Sequence, residues 1–142
     1  MFCIIILVLL LAACASGGSE ESSVATTTTL TVGEKTYTVD NLKALPQTEA
    51  TFNDVTYVGV LLSDLLADAG IDASGLTAVK AVATDGYSMN YEPALFMRPD
   101  VILAYAQVDG PLSADDGTFR MVLPGEEGKL NVRQVAELQT VP

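Results

Sequence analysis

The sequence predicts an α+β domain with mixed, largely antiparallel sheets and two or three short helices. Three observations support this fold class. Short segments alternate apolar and polar residues, turn-forming Gly, Pro and Asp separate them, and helical spacing of apolar residues occurs at only a few places. These patterns run from residue 30 to residue 142, a length that suits one domain.

Alternation, together with β-branched and aromatic residues, predicts the strands in order along the chain. Leu30-Thr31-Val32 and Thr36-Tyr37-Thr38-Val39 flank Gly33-Glu34 and predict a hairpin. A second turn, Asp85-Gly86, separates another pair of strands, and residues 101–108 are the most apolar strand. The predicted strands are 30–32, 36–39, one or two within 50–60, 79–84, 87–91, 101–108, 119–123 and 132–138.

Three short helices are predicted between these strands. Asp40 is a suitable N-cap for a helix over residues 41–45. The next helix ends before Gly70, a residue type that commonly follows a helix. Its apolar face is formed by Leu61, Leu62, Leu65, Leu66 and Ala69. A third helix is expected over residues 92–96, because Pro suits the first turn of a helix.

An apolar segment precedes this domain. Residues 4–13 are almost uninterruptedly apolar and lead into Cys14 through Leu11-Ala12-Ala13. A transmembrane helix needs about 20 residues, whereas a short apolar run that ends in small residues is typical of an export signal. With Cys14 after two alanines, the segment resembles the lipobox of bacterial lipoproteins, although no Lys or Arg precedes it. In that family the cysteine is acylated and becomes the new N-terminus.

This resemblance implies a signal peptide over residues 1–13, a lipidated Cys14 and a flexible linker over residues 14–29 that is rich in Ser, Thr and Gly. It also implies attachment of the protein to a membrane, through the lipid, at the extracytoplasmic face of the cell envelope. These are expectations from the sequence.

Composition excludes several classes of function. The only cysteines are Cys3 and Cys14, and the chain has no His and no Trp. The domain therefore cannot form a Cys/His zinc site or a Ser-His-Asp triad, and we predict no catalytic residue and no metal ligand in it. The 7 basic and 18 acidic residues give a net charge of −11, which repels nucleic acid and excludes it as a partner.

Three acidic pairs are candidates for carboxylate chemistry: Glu20-Glu21, Asp115-Asp116 and Glu126-Glu127. Glycoside hydrolysis needs two carboxylates at a fixed separation in a cleft, and nothing in the sequence places these pairs in one. We therefore expect them to form solvated surface.

A second group of candidates is basic. Arg120, Lys129 and Arg133 surround a loop over residues 124–128 that contains Gly125 and Gly128. Such a loop can present backbone N–H groups and guanidinium groups to a phosphate. The alternative is a hairpin loop whose cations balance two glutamates. If no cofactor is bound, we expect Arg120→Ala and Arg133→Ala to change thermal stability only modestly, as surface substitutions usually do.

Four motifs, in order, resemble the sulfite oxidase family of molybdopterin-binding oxidoreductase domains. They cover residues 40–138, most of the predicted domain. The motifs are Gly59-Val60-Leu61-Leu62-Ser63-Asp64-Leu65-Leu66 with Ala69-Gly70, Asp85-Gly86-Tyr87-Ser88, Val101-Ile102-Leu103-Ala104-Tyr105 with Asp109-Gly110-Pro111-Leu112, and Gly117 to Gly128 with Asn131-Val132-Arg133.

The resemblance implies a mixed α+β fold and molybdopterin as a possible cofactor. It also implies that Arg120, Gly125, Gly128 and Arg133 are the cofactor-binding residues, with Arg133 in place of the usual Lys. The sequence departs from the family where the cysteine that ligates molybdenum should precede Gly59, because residues 51–57 contain no Cys. The family's long N-terminal part is also missing.

Three functions stay open on these observations. The first is a lipid-anchored, non-catalytic module that binds a small ligand or a protein partner. The alternative is a molybdopterin-dependent oxidoreductase, or a subunit of one, whose site uses a non-thiolate ligand or is completed by a partner. A plain adhesion or scaffold module is a third idea.

Overall fold

The computed structural model describes residues 28–142. The predicted signal peptide, the predicted lipidation site at Cys14 and most of the predicted linker lie outside the described residues. None of the helices within residues 28–142 is both long enough and apolar enough to cross a membrane. These residues form ten strands and three short α-helices, which confirms the predicted α+β class.

The first sheet contains both ends of the domain. Its strands are β1 (Leu30–Val32), β2 (Lys35–Tyr37), β5 (Ala78–Ala83), β6 (Ser88–Tyr91) and β10 (Val135–Val141). They lie in the order β2-β1-β10-β5-β6. β1 runs parallel to β10, whereas the other neighbours are antiparallel. The sheet is therefore mixed, as the sequence predicts.

The second sheet is entirely antiparallel. Its strands are β3 (Thr48–Phe52), β4 (Val55–Leu61), β7 (Ile102–Gln107), β8 (Gly110–Pro111) and β9 (Arg120–Val122). β3 pairs with β4, β4 pairs with β7, and both β8 and β9 pair with β7. The strongly apolar β7 is thus the centre of this sheet.

The three helices are short and have identifiable ends. They are α1 (Val39–Lys43), α2 (Leu62–Asp68) and α3 (Pro93–Phe96). The N-cap of α1 is Thr38 and not Asp40, because Thr38 and Asn41 form a reciprocal capping box. Gly70 follows α2 with a φ of +77°, as predicted for a helix end. Single 3₁₀ turns occupy Ala73–Gly75 and Gly128–Leu130.

β7 is buried on both faces, which explains its continuous apolar run. Leu103 and Tyr105 face the main core, whereas Ile102 and Ala104 face a smaller apolar cluster on the other side. Alternate side chains of a strand point to opposite faces, so a strand covered on both faces loses the polar alternation.

Gly59 is required by the close approach of β4 to β7. A Cβ at this position would overlap the carbonyl oxygen of Leu103, which no side chain can tolerate. A register shift between Val58 and Gly59 accompanies this contact. The glycine of the first motif is thus explained by packing of the sheet.

β10 begins at Val135, three residues later than predicted. Gln134 has a φ of +50°, in the left-handed region, and an extended strand cannot continue through it. Its N–H donates to the carbonyl of Asp116 at 2.8 Å, and its carbonyl accepts from Thr84 N–H at 2.9 Å. Residues 131–134 therefore belong to a loop, in which Gln134 lies against Asp116.

Candidate functional site

A cavity of about 300 Å³ lies where β4 and β9 meet the loop over residues 113–117. We call it the Arg120 pocket. Its walls bring together two of the predicted cofactor-binding residues, Arg120 and Arg133, with aromatic and acidic side chains. The lining residues are Phe52, Asn53, Val55, Tyr57, Gln107, Ser113, Asp115, Asp116, Arg120 and Arg133.

Arg120 is buried, which corrects the expectation that it lies on the surface. Only 4% of its side chain is exposed. Its Nη1 donates to Asp116 Oδ1 at 2.6 Å and to Tyr57 Oη at 2.9 Å, and its Nε donates to the carbonyl of Met121 at 3.3 Å. The guanidinium also lies 4.6 Å from the centre of the Tyr57 ring and 5.8 Å from that of Phe52.

Asp116 is the ion-pair partner of Arg120, and the sequence analysis missed it. Its side chain is only 6% exposed, so the prediction of solvated surface is wrong for this residue. Its N–H donates to the carbonyl of Ser113 at 3.1 Å, and its own carbonyl accepts from Gln134 N–H. A buried carboxylate needs a cation, and Arg120, four residues further along, was the available signal.

Gly117 allows the loop to hold Asp116 in this position. Its φ is +77°, a conformation that side chains other than glycine's rarely adopt. A Cβ there would lie 2.8 Å from Gln134 Cγ and 3.0 Å from Gln134 Cα. The turn at Gly117 and the left-handed backbone of Gln134 therefore depend on each other.

Arg133 differs from Arg120 in its exposure to solvent. Its side chain is 61% exposed, and its Nε lies 3.6 Å from Asp116 Oδ1. One carboxylate oxygen thus faces both guanidinium groups. Arg133 also lines a second cavity, of about 340 Å³, which we call the Lys129 pocket; its walls are Asp85, Tyr87, Gly128, Lys129, Asn131, Val132 and Arg133.

The two predicted glycines are separated within their loop. Gly125 forms a turn with a φ of +78°, whereas Gly128 begins a 3₁₀ turn and lines the Lys129 pocket. The structure therefore brings Gly128 and Arg133 to one cavity and Arg120 and Arg133 to the other, while Gly125 lines neither of them.

One end of the loop over residues 124–128, which we call the glycine loop, is fixed by Arg98. Its guanidinium pairs with Asp100 at 2.7 Å and with Glu126 at 2.8 Å, and it donates to the carbonyl of Pro124 at 2.8 Å. Hydrogen bonding from Arg98 lowers the pKa of the Asp100 carboxyl below its usual range. Glu126 is therefore committed to an ion pair and is not simply a solvated charge.

The other end of the loop is fixed by the polar side chains of Asn131, Tyr87 and Tyr91. Buried Asn131 accepts from Leu123 N–H at 2.6 Å and donates to the carbonyl of Glu127 at 3.1 Å. The hydroxyls of Tyr87 and Tyr91 donate to the carbonyls of Lys129 and Leu130 at 2.9 and 2.6 Å. Burial raises the pKa of Tyr91, which keeps this hydroxyl protonated as a donor.

The described residues do not fit a molybdenum centre with a protein thiolate. Residues 28–142 contain no Cys, and among them no three His, Cys, Asp or Glu residues are placed to hold a metal ion. Nor does any buried side-chain nitrogen or oxygen in this part of the chain lack a hydrogen-bond partner. The buried polar groups of the Arg120 pocket are thus satisfied by the protein itself.

Comparisons with known proteins agree with this fold. A family model described as "Oxidoreductase molybdopterin binding domain" matches residues 19–142. Mitochondrial sulfite oxidase of Drosophila melanogaster is 28% identical over an alignment that covers 74% of this chain and 25% of that protein. The crystal structure of the sulfane dehydrogenase SoxCD from Paracoccus pantotrophus superposes with a TM-score of 0.67 at 23% identity, over 81% of this chain and 38% of that one. The chain spans about a quarter of the length of the curated relative.

Proposed function

Because the chain belongs to the oxidoreductase molybdopterin-binding domain family, we propose that it is a lipid-anchored, extracytoplasmic protein whose family domain is a non-catalytic module. In this proposal the domain binds a small ligand or a protein partner without carrying molybdenum. The membrane is reached through the lipid on Cys14.

The ion pair between Arg120 and Asp116 is the observation that carries the proposal. A guanidinium that holds a cofactor phosphate must direct its N–H groups to the ligand. Here Nη1 donates to Asp116 and to Tyr57, and the side chain is 4% exposed. The cation is therefore already neutralised inside the protein, and the described residues offer no thiolate for the metal.

The composition of the N-terminal residues supports the anchor. Leu11-Ala12-Ala13-Cys14 follows the apolar run, and the net charge of −11 makes electrostatic attraction to anionic lipids unfavourable. Attachment by acyl chains, at ~0.8 kcal/mol for each buried CH₂, is independent of that charge. Growth of a bacterial host with an alkyne-labelled fatty acid should label the full chain, and Cys14→Ser should abolish the label. A labelled Cys14→Ser variant would contradict the anchor.

Metal and pterin content test the non-catalytic role. The full chain is purified from a host that synthesises molybdopterin and is assayed for molybdenum by elemental analysis and for pterin by fluorescence. We expect far less than one molybdenum and one pterin per chain. A molybdenum-containing family member expressed in the same host controls for cofactor supply. Stoichiometric molybdenum in this protein would overturn the proposal.

The second candidate is an oxidoreductase whose molybdopterin site is completed by a partner. Exposure of Arg133, together with Lys129 and Gly128 along the neighbouring pocket, favours this alternative. Here the partner subunit supplies the metal ligand. Purification of the chain with its partners from its own host, followed by the same molybdenum assay, distinguishes the two functions.

A further inference from the structure

We infer that Asp116 is an internal counter-ion that closes the Arg120 pocket to anions, so that the ligand of the proposed module carries no negative charge where it meets Arg120. This inference rests on the proposed function and specifies the class of ligand. It also identifies the residue that separates this pocket from an anion-binding site.

The position of the Asp116 carboxylate supports the inference. Its Oδ1 lies 2.6 Å from Nη1 of Arg120 and 3.6 Å from Nε of Arg133. An oxygen between two guanidinium groups occupies the place that an oxygen of a bound phosphate or carboxylate would take. An external anion would have to displace this carboxylate or lie beside it, and two like charges at such short range disfavour each other.

The backbone of Asp116 is held on both sides, so the carboxylate is not a freely moving surface group. The N–H of Asp116 donates to the main-chain carbonyl of Ser113 at 3.1 Å, and the carbonyl of Asp116 accepts from the N–H of Gln134 at 2.8 Å. The side-chain amide of Gln134 also donates to the carbonyl of Asp115 at 3.3 Å. Gly117 adopts its left-handed backbone without strain, whereas that of Gln134 persists only where surrounding contacts fix it.

The rest of the pocket agrees with a ligand that is not anionic. Asp115 adds a second carboxylate to the wall, and Asn53, Gln107 and Ser113 supply amide and hydroxyl groups. These groups form hydrogen bonds with neutral polar molecules or with amines. The wall thus presents two exposed charges of opposite sign, the cation of Arg133 and the carboxylate of Asp115.

Removal of the Asp116 charge tests the inference, with inorganic phosphate as the probe. The melting temperature of the full chain is measured in sodium phosphate and in sodium chloride at equal ionic strength and pH. Wild-type protein should show only the non-saturating rise in melting temperature that phosphate gives through its exclusion from protein surfaces. D116N should be stabilised by phosphate in a saturable way, because a ligand that binds only the folded state raises its stability. One regained charge-assisted hydrogen bond corresponds to a gain in phosphate affinity of about tenfold.

Two further variants control the experiment. D115N removes one negative charge from the same pocket but leaves the pair between Arg120 and Asp116 intact, so it should gain no phosphate response. D116N/R120Q should lose the response of D116N. If D116N is unfolded in chloride, phosphate should restore its folding; a D116N protein that phosphate neither stabilises nor refolds overturns the inference, as does an equal response of D115N and D116N. Molybdenum in the wild-type protein would instead overturn the proposed function, so the two failures are distinguishable.

Discussion

Arg120 and Arg133 both face Oδ1 of Asp116, but Arg120 is buried and Arg133 is exposed to solvent. The Arg120 side chain is 4% exposed and donates to Asp116 at 2.6 Å, whereas the Arg133 side chain is 61% exposed and lies 3.6 Å away. Both match basic positions of the family motifs, but only the Arg133 side chain is largely exposed. Arg120 therefore has a structural role in this protein, because the neighbouring Asp116 supplies its anion.

The largest effect is expected from truncation of the buried arginine. Arg120→Ala leaves Asp116 buried without its close cation, and removal of one partner of a buried pair typically destabilises a protein by roughly 3–5 kcal/mol. Urea denaturation followed by circular dichroism measures this loss in the free energy of unfolding. A loss under about 1 kcal/mol would mean that Arg120 is an ordinary surface residue.

The turn that positions Asp116 should be the next most sensitive feature. Gly117→Ala adds strain at a φ of +77° and a Cβ at 2.8 Å from Gln134, for a combined loss of about 2–4 kcal/mol in unfolding free energy. Gly86→Ala is the matched control, because Gly86 has a φ of +89° but open space around the added Cβ. Equal losses in thermal or urea unfolding would show that contact with Gln134 is unimportant.

The glycine loop should depend on buried Asn131. Asn131→Ala removes the acceptor for Leu123 N–H and the donor to Glu127, and buried groups left without partners destabilise by about 1–3 kcal/mol. Asn90 is exposed on β6 and serves as the control, since Asn90→Ala should be nearly neutral. The two variants are compared by thermal unfolding, and similar melting temperatures would contradict this role of Asn131.

A smaller, pH-dependent effect is expected from the ion pair of Arg98 and Asp100. The pKa of Asp100 is lowered in the folded protein, so its contribution is present above the usual value of 3.8 and is lost as the pH falls through the lowered folded pKa. Because Asp100 is 46% exposed, the contribution should stay under about 1 kcal/mol. Asp100→Asn should flatten the decrease in unfolding free energy below pH 4, and an unchanged pH profile would contradict the pair's contribution.

The smallest effect is expected at the exposed arginine. Arg133→Ala should change the free energy of unfolding by no more than about 0.5 kcal/mol, because exposed cations at long pairing distance contribute little. The same urea titration as for Arg120→Ala measures it. A loss as large as that of Arg120→Ala would remove the distinction between the two arginines.

The sequence was most informative where local patterns determine structure. Alternation predicted the strand pairs around Gly33 and Gly86, and the run at 101–108 predicted the central strand β7. It failed at the start of β10, because the left-handed conformation of Gln134 depends on a contact with Gly117 that is distant in sequence.

The candidate site was only partly predictable for a similar reason. Arg120 and Arg133 were found as cations around a glycine-containing loop and through the family motifs, and the structure places both in one pocket. The burial of Asp116 was missed because two adjacent aspartates are typical of solvated loops, and only the return of residues 113–117 to the sheet buries one of them. The spacing of Asp116 and Arg120, combined with the glycine between them, was the signal that could have indicated a local ion pair.

A double-mutant cycle on Arg120 and Asp116 tests most directly whether the arginine is held by its own protein. The unfolding free energies of the wild type, Arg120→Ala, Asp116→Ala and the double variant give the coupling energy between the two side chains. We predict a coupling of about 1.5 kcal/mol or more, and a double variant that is less destabilised than the sum of the single variants. A coupling near zero would contradict the closed ion pair and would leave Arg120 available to an external anion.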